Sequence, residues 1–207
     1  MTLTFYTNPM SRGRIARWML EEVGEPYETR IVEYGTAMKA PEYRAINPMG
    51  KVPALVHDGT VVTEVNAILA YLAEAFPQAG LMPKDRAGFW RWMFFVAGPL
   101  EYAVVSRSFG WDVSEPRERG RLGYGSLEEV VATLAGHLGG RDYAVGDRFS
   151  VVDVTLGSAL GWGMMQGTIP AEPAFVAYWD RLKDRPAALR AREIDGRLAA
   201  ERQAAHG

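Results

Sequence analysis

A small mixed α/β unit followed by an all-helical unit is the architecture this sequence predicts. Three observations carry that prediction. The first eighty or so residues alternate strand-like and helix-like runs, a short linker with Gly and Pro follows Pro77, and from Asp85 onward the pattern is helical with little strand signal. The chain has 207 residues, enough for two compact units, and the change in texture places them at 1–78 and 85–207.

Taken in order, Leu3–Thr7 is β-prone and is stopped by Asn8-Pro9. Ser11 stands before a run whose apolar residues Ile15, Trp18, Met19 and Val23 share one helical side, with Ala16 and Leu20 beside them. Gly24 and Pro26 end that helix. Residues 27–33 read as a second strand, 35–45 as weakly helical and 47–50 as a loop. Pro53 to His57, Asp58-Gly59 and Thr60–Thr63 form a hairpin, because an Asp-Gly pair suits the positive φ angles of a two-residue turn. Ile68, Tyr71, Leu72, Ala75 and Phe76 form the stripe of the next helix, which Pro77 stops. In the second half, 87–105 is a helical run rich in Phe, Trp and Met, and a break follows at 110–116. Residues 126–138 are a helix with Ser126 and Glu129 at capping-box spacing, and Ser150 and Asp153 open another helix in the same way. Residues 175–183 form a further helix, and the Ala- and Arg-rich tail from Ala187 is helical.

Composition narrows the function. Lys and Arg total 23 against 25 Asp and Glu, a net charge of −2, which lacks the basic excess of a nucleic-acid binder. The chain has no cysteine, so disulfides, Cys-ligated zinc and a Cys nucleophile are excluded. His57, His137 and His206 are scattered, so no metal site is expected. The most apolar windows, near 93–105 and 151–165, contain Glu101 and Asp153 and are too short to span a bilayer. No membrane contact and a cytoplasmic location are the expectation.

Several residues carry two readings each. Ser11 is either an N-cap, worth about 1 kcal/mol, or a hydroxyl held at a positive helix end where it can donate to an anion. No Gly-x-Ser-x-Gly frame surrounds it, so a hydrolase nucleophile is not supported. Val52-Pro53 is either the start of a strand or a cis bond that turns the Val52 backbone toward a ligand; cis is the minority state, about 5% of X-Pro bonds. Thr63-Glu64-Val65-Asn66 is either a helix start or a small anion site, with Glu64 facing a neighbouring ammonium. A carboxylate beside an ammonium is the head of an α-amino acid. Lys39 and Lys51 read first as solvated charges, Asp153 as structural, and the aromatic and Met-rich stretches as core.

Taken together, five segments resemble the glutathione transferase family, as a bacterial, serine-type, cytosolic member. They begin at Tyr6-Thr7-Asn8-Pro9-Met10-Ser11-Arg12, Asn47-Pro48-Met49-Gly50-Lys51-Val52-Pro53, Glu64-Val65-Asn66-Ala67-Ile68, Gly146-Asp147-Arg148-Phe149-Ser150 and Leu182-Lys183-Asp184-Arg185-Pro186. The resemblance implies a thioredoxin-like first domain, an all-α second domain, usually a homodimer, and glutathione as co-substrate with no metal. It implies a transferase that activates the thiol for attack on a small apolar electrophile, with peroxidase, reductase or dehalogenase side activity left open. A non-catalytic glutathione-binding or protein-interaction module is the rival. By the same resemblance, cis Val52-Pro53 serves the cysteinyl part of glutathione, Glu64 and the Val65 N–H, with Asn66 beside them, serve the γ-glutamyl end, and Lys51 with Lys39 serves the glycine carboxylate. Ser11 becomes the hydroxyl facing the sulfur, with Tyr6 as its competitor. Met10, Tyr102 and Trp111 become candidates for the electrophile pocket, together with Met164 and Met165. Val65 departs from the pattern: the family usually has Ser or Thr there, and the missing hydroxyl bond, about 0.5–1.5 kcal/mol, predicts weaker glutathione binding.

Overall fold

A computed structural model describes residues 2–111, 113 and 115–206, and these group into two compact units: 1–82 with 185–207, and 83–184. The first unit is built on a four-stranded sheet. Strand β1 (Leu3–Thr7) leads to helix α1 (Gly13–Val23), strand β2 (Glu28–Ile31), and two short helices, α2 (Thr36–Lys39) and α3 (Pro41–Arg44). Strands β3 (Ala54–His57) and β4 (Thr60–Thr63) and helix α4 (Val65–Ala75) complete it. The order across the sheet is β2-β1-β3-β4. β1 and β2 are parallel, and the other pairs are antiparallel. The hairpin turn matches its sequence signal, with φ of 46° at Asp58 and 85° at Gly59. The weakly helical stretch resolves into α2 and α3, separated by the extended residue Ala40.

Alternation along β1 sorts its side chains by face. Leu3, Phe5 and Thr7 are buried, as are Met19 and Leu20 of α1 and Ile68, Leu69 and Leu72 of α4. Tyr6 points to the other face and packs with Val32, Met38, Tyr43, Ile46 and Val52.

The second unit is helical. It contains α5 (Arg86–Phe95), α6 (Glu101–Phe109), α7 (Pro116–Arg119), α8 (Leu127–Leu138), α9 (Val151–Met165) and α10 (Pro173–Leu182). The apolar run predicted at 87–105 is interrupted by a π-helical turn over Val96–Leu100, because Pro99 has no N–H for the α-helical ladder. Both capping boxes form, Ser126 with Glu129 and Ser150 with Asp153. Asp153 is fully buried and accepts hydrogen bonds from the Ala144 and Ser150 amides and the Tyr178 hydroxyl at 2.7–2.8 Å, with the Ser150 hydroxyl at 3.0 Å. That network holds the start of α9 and supports its structural reading.

The last helix, α11 (Pro186–His206), departs from the grouping 85–207: it packs on α1 and belongs with the first unit. The cause is a charge in an apolar stripe. Arg17 sits on the buried side of α1, and its Nε donates to Asp195 of α11 at 2.7 Å, with both side chains 1% exposed. Arg185 forks onto Glu22 at 2.7 and 2.8 Å, Arg190 reaches Glu21 at 3.1 Å, and Arg202 pairs with Glu33.

Candidate active site

Strand register gathers the candidate residues. Thr7 at the end of β1 pairs with Ile31 at the end of β2; Tyr6 pairs with Ala54 at the start of β3; Ala54 pairs with Thr63 at the end of β4. The segments that follow β1, β2 and β4, and the one that precedes β3, therefore lie at one end of the sheet. These segments carry Ser11, Lys39, Lys51-Val52-Pro53 and Glu64-Val65-Asn66. Helices α1 and α4 both begin at this end, so two positive helix termini face it.

Ser11 lies two residues before α1, half-buried. Its Oγ accepts the Gly13 N–H at 2.9 Å and donates to the Asn8 carbonyl at 2.7 Å. The capping reading thus holds in a modified form, since Arg12 takes the formal cap position and makes no side-chain cap bond. Tyr6 is drawn another way. Its ring stands 5.9 Å from that of Tyr43, and its hydroxyl accepts from Arg30 Nη1 at 3.5 Å on the outer strand β2.

The Val52-Pro53 bond is cis. The strand ladder starts at Ala54, so the Val52 N–H and C=O stand outside it, as a sheet edge would offer them. The loop before them is pinned: Tyr43 donates to the Lys51 carbonyl at 2.6 Å and Asn47 Nδ2 to the same oxygen at 2.7 Å. Burial pushes the Tyr43 hydroxyl up to about 12, so it keeps its proton and remains a donor. Lys39 donates to the Met49 and Gly50 carbonyls, both at 2.9 Å, and so braces this loop; Lys51 is exposed. Glu64 has φ of 68° and ψ of 125°, a backbone sparsely populated by non-glycine residues, and it precedes Val65, the first residue of α4. The Val65 N–H is therefore among the helix amides with no partner inside the helix.

Met10 in the first unit and Tyr102 and Trp111 in the second are each exposed; Met164 is half-buried and Met165 exposed. The Met10 carbonyl accepts from the Tyr34 hydroxyl at 3.0 Å, and Arg14 Nε donates to the Pro9 carbonyl at 2.5 Å. Asn8, Gly13, Arg14 and Tyr34 also shape this loop, and the sequence assigns them no role in the site. An Asn-Pro pair announces only a turn, and nothing in the order of residues says which carbonyl a serine will find.

A cavity of about 540 Å³ lies at the opposite end of the sheet, lined in part by Arg17, Leu20, Glu21, Tyr27, Arg190 and Arg197. Its arginines already face Asp195, Glu21 and Glu201, which offsets their charge.

Residues 10–75 match the family model for the glutathione S-transferase N-terminal domain, and residues 124–186 match that for the C-terminal domain. The chain is 29% identical to glutathione S-transferase GST-4.5 of Xanthomonas campestris pv. campestris, over 93% of this chain and all of that one. It is 31% identical to the glutathione S-transferase-like protein LUC7 of a Fusarium species, over 83% and 84% of the two chains. Among solved structures, a sphingomonad glutathione S-transferase complexed with glutathione superposes with a TM-score of 0.75 at 29% identity, covering 93% of this chain and 98% of that one.

Proposed function

Because this chain belongs to the glutathione transferase family and is a glutathione transferase, we propose that Ser11 is the residue that activates the thiol and that the end of the sheet described above holds glutathione. The observation that carries the reading is the convergence, at that end, of the Ser11 hydroxyl, the cis Val52-Pro53 backbone and the start of α4. The donor set fits a tripeptide with an α-amino acid head. Val52 offers a backbone edge for the cysteinyl unit. Glu64 offers a carboxylate for the ammonium, and the Val65 amide, with Asn66 beside it, an anion contact for the neighbouring carboxylate. Lys51 offers a cation for the glycine end, and Lys39 supports the loop that carries it.

Glutathione supplies the nucleophilic sulfur, and the chain's task is to favour its negative form. A free thiol has a pKa of about 8.5, so roughly 3% is ionised at pH 7. Lowering that pKa by about 2 units needs about 2.7 kcal/mol in favour of the anion. A charge-assisted bond from the Ser11 hydroxyl contributes about 1.5–3 kcal/mol, and a helix N-terminus about 0.3–1 kcal/mol. Releasing the hydroxyl from the Asn8 carbonyl costs about 0.5–1.5 kcal/mol. The net from Ser11 and the α1 terminus is about 2 kcal/mol at central values, a lowering of about 1.4 units, and reaches 2 units only at the upper end of these ranges. Tyr6 is the second candidate; its hydroxyl lies beside Arg30 of the edge strand β2, whereas Ser11 lies at the start of α1. Met10 offers exposed apolar surface on the first unit, and Tyr102 and Trp111 offer it on the second, as the candidate contacts for a small electrophile. The non-catalytic alternative is not favoured, since the named relatives are transferases across the whole chain. A homodimer and a cytoplasmic location, where the co-substrate stays reduced, complete the proposal. Among the described residues no helix is long and apolar enough to cross a membrane.

The test is conjugation of glutathione to an aryl halide by the wild type, Ser11→Ala and Tyr6→Phe. Ser11→Ala is expected to lower the rate about 10- to 100-fold, the equivalent of one charge-assisted bond, with little change in glutathione affinity. An unchanged rate in Ser11→Ala with a loss in Tyr6→Phe transfers the role to Tyr6.

A further inference from the structure

The loop from residue 8 to residue 13 is built around a side chain that no reading above assigns. Asn8 is 1% exposed. Its Nδ2 donates to the Val32 carbonyl at 3.1 Å, and its Oδ1 accepts the Met10 N–H at 3.0 Å. The amide thus staples the loop to the segment that follows β2. Its own carbonyl accepts twice from Ser11, from the backbone N–H at 3.0 Å and from Oγ at 2.7 Å. On the other side, the Gly13 N–H reaches Ser11 Oγ at 2.9 Å. Gly13 has to be glycine for this: a Cβ there collides with Thr7 Oγ1 and comes within 3.0 Å of Ser11 Oγ.

A serine hydroxyl has one proton and two lone pairs. Gly13 engages one lone pair, and the Asn8 carbonyl holds the proton. The position of the oxygen is therefore set from two sides, while the direction of its proton is a choice between two acceptors. A neutral thiol is a weak acceptor, and the carbonyl keeps the proton against it. A negative sulfur is a stronger one, because a charge-assisted bond is roughly twice as strong as a neutral one.

We propose that Asn8 is the positioning residue for the thiol-activating hydroxyl. Its side chain staples the loop that holds Ser11 Oγ in place, and from that fixed position the Ser11 proton turns from the Asn8 carbonyl to a charged sulfur. The inference rests on the assignment of Ser11 made above. No covalent bond of Ser11 forms or breaks: the thiol proton leaves to solvent, and Ser11 keeps its own proton and redirects its hydrogen bond. Such a donor discriminates between thiolate and thiol, so Asn8 acts on the ionisation of bound glutathione and little on how tightly the tripeptide as a whole is held.

The test is a double-mutant cycle read by the ultraviolet absorbance of the bound thiolate against pH, with kcat and KM measured alongside. In Asn8→Ala the unstapled loop no longer fixes Ser11 Oγ, and this loss outweighs the easier release of its proton, so the apparent pKa of the bound thiol should rise by about 0.5–1 unit, with KM for glutathione within about twofold of wild type. In a Ser11→Ala background the same substitution should leave the thiol pKa unmoved, because Asn8 acts through the hydroxyl. The inference is overturned if Asn8→Ala leaves the thiol pKa at the wild-type value, or shifts it equally with and without Ser11. If instead Ser11→Ala by itself leaves the thiol pKa in place, the assignment of Ser11 falls, and this outcome is recognisable before Asn8 is touched. Should Asn8→Ala not fold, Asn8→Ser serves in its place: it is neutral and too short to reach the Val32 carbonyl, so it removes the staple without burying a charge and is read by the same cycle.

Discussion

Single side chains decide local chemistry here by what they are bonded to. His137 shows this away from the site. Its ring stacks on Trp92 at a centroid distance of 3.9 Å, and its Nε2 donates to the Ala144 carbonyl at 2.7 Å. Burial holds its pKa below the ordinary 6.5, the bond to Ala144 opposes that, and the charges of Arg141 and Arg91 add to it. The folded protein thus prefers neutral imidazole. The stability this contributes is present in full above the unfolded value and is lost as pH falls through the folded one. Thermal melts followed by tryptophan fluorescence should show a decline in stability below about pH 6.5, and His137→Gln should flatten that part of the profile. An unaltered slope in the variant would assign the decline to other groups. Ser11 carries the corresponding lesson inside the site: its position was readable from the strand-to-helix junction, whereas its two hydrogen-bond partners were not.

Elements answer to the same accounting. Helix α11 has few large apolar side chains, and its buried face is alanine (Ala187, Ala188, Ala191) together with Asp195. What locates it is charge. Arg17 also donates to the Tyr27 hydroxyl at 3.0 Å and to the Thr29 hydroxyl at 3.1 Å, and its guanidinium lies 5.2 Å from the Phe5 ring centroid. Asp195→Asn keeps the shape and removes the counter-charge, so it should cost about 3–5 kcal/mol in urea unfolding. Arg190→Ala, at a half-exposed pair, should cost no more than about 1 kcal/mol. The double change Arg17→Met with Asp195→Leu should recover most of the loss. Equal effects at the buried and exposed pairs would show that α11 is held by its alanine face instead. The Ala- and Arg-rich composition announced a helix, yet the partner of that helix is set by Arg17, about 180 residues earlier in the chain, at a position periodicity alone reads as a misplaced charge.

At the scale of the whole molecule, the proposed assembly has a visible feature. Trp90 and Phe94 are one turn apart on α5, 44% and 68% exposed, with ring centroids 6.0 Å apart. Exposed neighbouring aromatics of this kind are enriched in protein interfaces. Sedimentation of the wild type should give about twice the 22.9 kDa chain mass, and Trp90→Glu with Phe94→Glu should shift the protein toward the monomer. A monomeric wild type would remove the homodimer from the proposal.

What the order of residues determined was everything that depends on near neighbours. Periodicity marked the strands and helices, Asp58-Gly59 the hairpin, Ser126 and Ser150 the capping boxes, and five segments in the right order the family. The tertiary structure alone decided what depends on distant ones. Strand register brought Ser11, Val52 and Glu64 to one end of the sheet, a buried ion pair drew α11 onto α1, and the Asn8 carbonyl accepted the Ser11 hydroxyl's hydrogen bond. The division has a physical reason. Propensity, capping and turn chemistry act over a few residues and leave their mark in composition and spacing, whereas a hydrogen bond or ion pair closed across the fold is specified only once packing has set both partners within about 3 Å of each other.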